Sequence, residues 1–205
     1  SGLATIFETT CINDLHASDN AKRILALKYD YIKTIDVVIE FLQGQHATLA
    51  QRIAQRSFLP EASRFNQAND FDWAFGHMGI LDKAKHICTL YLEDISDFII
   101  ECVDENFGFS RYAERLGRSA NSFDELYQFL QQPVSIVDQI SLDLLDEYIK
   151  NNKPILVGLS VPFPGNLYSA LRCGQFLKAN YPEGQQFHWI VNEKEIPLRL
   201  DAIWC

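Results

Sequence analysis

The segment Pro154-Ile155-Leu156-Val157-Gly158-Leu159-Ser160-Val161 constrains the fold of this chain more than any other. It is a continuous apolar run of strand length. A strand with one wet face alternates polar and apolar residues. An unbroken run belongs to a strand covered on both faces, as in a parallel sheet. The cluster Pro162-Phe163-Pro164-Gly165-Asn166 breaks it. A helical period then sets in from Leu167 to Asn180, carried by Leu167, Leu171, Gly174, Phe176 and Leu177. Tyr181-Pro182-Glu183-Gly184 ends that helix, Phe187 to Val191 reads as a second strand, and Glu195 to Trp204 as a last helix. Parallel strands need a crossover, so the order strand, helix, strand predicts a βαβ unit. Two strands do not make a stable sheet alone, so the expectation includes further strands outside these residues.

Upstream, the pattern is helical. Ser18 is a suitable N-cap for a long helix running through Ile24, Tyr29, Ile35, Val38 and Leu42, with Gly44 closing it. A second helix contains Leu49, Ile53 and Phe58 and stops at Pro60, and a packed loop is expected from Asn66 to Gly79. A third runs from Ile80 to Asp104, with an apolar face from Leu81 to Cys102 and an acidic face bearing Glu93, Asp94, Asp97 and Glu101. Ser122-Phe123-Asp124-Glu125 is a capping-box pattern that opens a short helix to Leu130, and another helix spans Ile136 to Lys150. The expected fold is therefore α/β and helix-rich: a small parallel Rossmann-like sheet with a large helical insert or bundle. Residues 1–150 form the mainly helical region and residues 151–205 the Rossmann-like βα part, packed together as one domain.

Charge and cysteine usage narrow the function classes. The net charge is −9 and the basic residues are scattered, which argues against nucleic acid as a partner. No apolar run is long enough for a membrane span, and no basic amphipathic stretch suits a membrane surface. The N-terminus lacks both a signal-peptide pattern and an initiator Met, so the chain reads as a piece of something longer. Five cysteines at long, irregular spacings (Cys11, Cys88, Cys102, Cys173 and Cys205) suit reduced thiols in a cytoplasm.

Several residue sets could carry chemistry. Asp14-Leu15-His16 can position an imidazole as a metal ligand, although a loop leading into the Ser18 cap accounts for the same residues. Asp82 and His86 share a helix face and could ligate a metal with His46 or His77 as a third ligand. A solvent-side hydrogen-bonded pair is the plainer reading. Asp36, Glu40, Glu93, Asp94, Asp97 and Glu101 could supply paired carboxylates for acid–base work, or simply solvate helix faces. The strand-to-helix turn differs from these, because ligands of open α/β sheets bind beyond the carboxyl ends of strands. Free amides at a helix N-terminus also favour anions. Ser160, Gly165 and Asn166 are the candidate binding residues there. No Gly-x-Gly-x-x-Gly, P-loop or Gly-x-Ser-x-Gly occurs, which argues against dinucleotide, nucleoside triphosphate and serine-hydrolase sites.

The stretch from Pro154 to Leu171 resembles the strand–helix segment of cobalamin-binding-type domains at the N-terminal end of radical SAM iron–sulfur oxidoreductases. The helix end Leu177-Lys178-Ala179-Asn180-Tyr181-Pro182 and the segment Asn192 to Leu198 are similar to the same family, and Ala21 to Asp30 to an insert in some members. The resemblance implies an accessory, cobalamin-binding-like domain supporting a downstream radical SAM barrel of the same polypeptide. Cobalamin would then be the cofactor nearest this chain, with Ser160 lining its nucleotide-tail pocket. The [4Fe–4S] cluster and S-adenosylmethionine would belong to the full-length protein, because no Cys-x-x-x-Cys-x-x-Cys occurs here. The chain departs from the family pattern at three places. Asp14-x-His16-x-x-Asp19 ends in Asp where the base-off cobalamin motif has Gly, Pro162 stands where an aliphatic is usual, and the later Gly-Gly turn is missing. The alternatives are a helical protein–protein interaction or regulatory domain without cofactor, and a metal enzyme using His16, His46, His77 or His86.

Overall fold

A computed structural model describes residues 2–10, 17–70, 79–109, 124–161, 166–181 and 186–191. The chain divides into two compact units, Ser1–Glu105 and Asn106–Cys205. The expected boundary near residue 150 lies inside the second of them.

The first unit is built around one long helix. Its elements are α1 (Gly2–Thr9), α2 (Asp19–Ala26), α3 (Lys28–Leu42), a 3-10 turn (Ala47–Leu49), α4 (Ala50–Ala54), a 3-10 segment (Ser63–Asp70) and α5 (Ile80–Cys102). α2, α3, α4 and the 3-10 segment all pack on α5. Ile87, Cys88, Tyr91, Ile95, Phe98 and Ile99 of α5 are buried at helical spacing, which is why this helix forms the centre. The Phe7 and Phe98 rings lie 5.0 Å apart, as do those of Tyr31 and Tyr91. The Tyr91 hydroxyl donates to the Tyr31 carbonyl at 3.0 Å, so the polar end of a buried aromatic is satisfied.

Local signals in this unit are obeyed with some corrections. Ser18 caps α2, its Oγ accepting the Ala21 amide at 3.1 Å. Gly44 takes φ +93° beyond the end of α3. The single helix expected over this stretch is interrupted at Leu27, where φ is −96° and ψ 10°. Neither Pro nor Gly stands there. The Leu27 amide reaches the Ile24 carbonyl and the Asp30 amide reaches the Leu27 carbonyl, the tighter 3-10 spacing that interrupts an α-helix. The expected second helix is only five residues of α-helix, and the loop expected from Asn66 opens inside the 3-10 segment. Leu81, placed on the apolar face of α5, is exposed.

The second unit comprises α6 (Asp124–Gln131), α7 (Ile136–Asn152), β1 (Leu156–Val161), α8 (Leu167–Asn180) and β2 (Gln186–Val191). Ser135 caps α7 and Lys153 ends it in the left-handed region at φ 46°. α8 packs on α6, α7 and β1. Its core joins Leu126 and Leu130 of α6, Val161 of β1, and Leu167, Tyr168, Ala170 and Leu171 of α8. The strands pair in parallel, with Leu156 opposite Gln186 and Val161 opposite Val191.

The expected α/β class with a Rossmann-like sheet is overturned. The described residues hold eight α-helices against two six-residue strands, so the chain is helix-rich and this one pair is no Rossmann-like sheet. A Rossmann-like sheet needs several parallel strands with helices on both faces. The reading of β1 as covered on both faces fails for the same reason. Val157, Leu159 and Val161 turn toward cover, while Leu156, Gly158 and Ser160 are exposed. Apolar sequence can specify a strand, but burial of its second face depends on a layer that the described residues do not supply.

Candidate functional site

Ser160 and Asn166 stand at the two ends of the β1-to-α8 turn. Ser160 lies opposite Ile190 on the exposed face of β1. Asn166 is the N-cap of α8 with helical backbone angles, and its side chain caps no amide. Gly165, the third candidate, lies outside the described residues, as do Pro162, Phe163 and Pro164. A Cβ built on Gly158, beside Ser160, meets nothing within 4 Å, so this face has room. Asp14 and His16, the candidate imidazole pair of the sequence, lie outside the described residues.

The described candidate metal ligands are not brought together. Among the described residues no group of three or more His, Cys, Asp or Glu could hold a metal ion. His46 Nε2 lies 2.7 Å from Glu40 Oε2, and Asp82 and His86 occupy the first two turns of α5. His77 lies outside the described residues.

The acidic face of α5 was the set of candidate acid–base carboxylates, and packing assigns it to another task. Asp94, fully buried, accepts the amides of Ala62 at 2.9 Å and Arg64 at 3.0 Å, holding the start of the 3-10 segment. Burial pushes its carboxyl above the ordinary range, and those two amides pull it back. Asp97 takes a two-pronged contact from Arg64, Nε at 2.6 Å and Nη2 at 2.7 Å. Glu101 receives both the amide and the hydroxyl of Ser18 at 2.7 Å. Residues 94, 97 and 101 recur at helical spacing, so one ridge of α5 ties down two other segments of the chain. All three carboxylates are thus engaged as acceptors in ties within the chain.

The second unit contains a buried polar cluster that sequence reasoning missed. The Tyr168 hydroxyl donates to Asp138 Oδ2 at 2.5 Å, and Arg172 Nε donates to the Tyr168 oxygen at 2.7 Å. Arg172 Nε also lies 3.5 Å from Asp138 Oδ2. Its other nitrogens reach the carbonyls of Leu130 at 2.7 Å, Phe129 at 3.1 Å and Gln132 at 3.0 Å. Phe129 and Leu130 stand in the last turn of α6 and Gln132 directly follows it, where carbonyls run short of partners in the helix, although that of Phe129 also accepts the Gln132 amide at 3.1 Å. One guanidinium thus caps α6 and neutralises a carboxylate of α7 from a position on α8. Burial first, then the Asp138 hydrogen bond, pushes the Tyr168 hydroxyl up. The available signal was an Arg inside the apolar stripe of α8, four residues after Tyr168.

The described cysteines are free thiols, and none is activated. Burial pushes Cys88 up to about 11 and raises Cys102 and Cys173 as well. A thiol held protonated is a weak nucleophile. No helix among the described residues is long and apolar enough to cross a membrane. Compared with protein-family models, with curated proteins and with solved structures, the chain matches none of them.

Proposed function

We propose that this chain is a non-catalytic accessory region of a radical SAM iron–sulfur oxidoreductase, with the catalytic barrel downstream in the same polypeptide and the protein in the cytoplasm. The observation that supports this reading most is the β1–α8–β2 arrangement. Its strand and helix carry the family-like stretch from Pro154 to Leu171, with Ser160 uncovered at the carboxyl end of a parallel strand and Asn166 at the following helix start. Iron and sulfide analysis of the full-length protein tests the reading, and a full-length protein that assembles no cluster overturns it. Hydroxocobalamin added to the chain, followed by desalting and an absorption spectrum, separates a working corrinoid site from a degenerate one. A working site retains the corrinoid bands and loses them in Ser160→Trp, which fills the open face.

A second reading is a helical interaction or regulatory domain without cofactor. It is favoured by the buried charges Asp94, Asp138 and Arg172, each spent on tying one segment to another rather than on a ligand. A full-length protein without cluster and without corrinoid retention selects it.

A further inference from the structure

We draw no further inference here: the strongest candidate, the fully buried Asp94 carboxyl of α5 with the buried Tyr31 hydroxyl of α3 facing it, is the anchor of the 3-10 segment already described, and no second observation among the described residues there points to a ligand or a partner.

Discussion

Replacing Arg172 with Met removes a buried cation from the core of the second unit and nearly preserves side-chain length. The guanidinium is almost fully buried, and its partners are the Tyr168 oxygen, three carbonyls at the end of α6, and Asp138 at 3.5 Å. Removing one member of a buried ion pair costs about 3–5 kcal/mol, because the remaining charge is stranded. The Leu130 carbonyl is buried with the guanidinium and adds about 1 kcal/mol or more when unmade, while water reaches those of Phe129 and Gln132 more readily. The expected loss is therefore about 4–6 kcal/mol, comparable with the whole stability of a small domain. Urea unfolding gives the total, and hydrogen exchange at the α6 amides locates it. The paired variant Arg172→Met with Asp138→Leu removes both charges and should recover about 2 kcal/mol of the loss, a coupling typical of residues in contact. A single-variant loss below about 1 kcal/mol, or a paired variant as damaged as the sum of its parts, would refute the role given to Arg172.

Asp94→Asn leaves one of the Ala62 and Arg64 amides without its charged acceptor and should cost about 1–3 kcal/mol in thermal or urea unfolding. An unchanged midpoint would remove the anchoring role of Asp94. The same residue sets a pH dependence. Burial raises its folded-state pKa above the ordinary 3.8, so the folded chain binds that proton more tightly than the unfolded chain. Its contribution to stability is present below 3.8 and is lost as pH rises through the raised value. The difference in unfolding free energy between the unsubstituted chain and Asp94→Asn should therefore shift with pH in that window, and a flat difference argues against a raised value. Ser18→Ala removes both the N-cap of α2 and a hydrogen bond to Glu101, with a loss of about 1–2 kcal/mol by urea titration. Leu171→Ala opens a cavity in the core beside Leu126 and Val161 and should cost about 2–5 kcal/mol. A loss under 1 kcal/mol there would mean that the cluster is not a packed core.

Sequence alone determined the elements whose signals lie within a turn or two of themselves. Ser18 caps α2, Gly44 closes α3, and the apolar period of α5 and α8 sets which face each buries. These are short-range matters of backbone donors, φ angles and side-chain spacing. Ser160 and Asn166 were legible as the ends of a strand-to-helix turn for the same reason. Tertiary structure alone decided what the polar residues do. Glu101 meets Ser18 across 83 positions, Asp94 meets Ala62 across 32, and Arg172 meets Leu130 across 42. No periodicity within one helix could have told these ties from free carboxylates or an exposed cation. The apolar run that most constrained the chain shows the same division. Its residues dictate an extended backbone from Leu156 to Val161. Whether Leu156, Gly158 and Ser160 are covered depends on a second layer, and a strand cannot encode the presence of its neighbour.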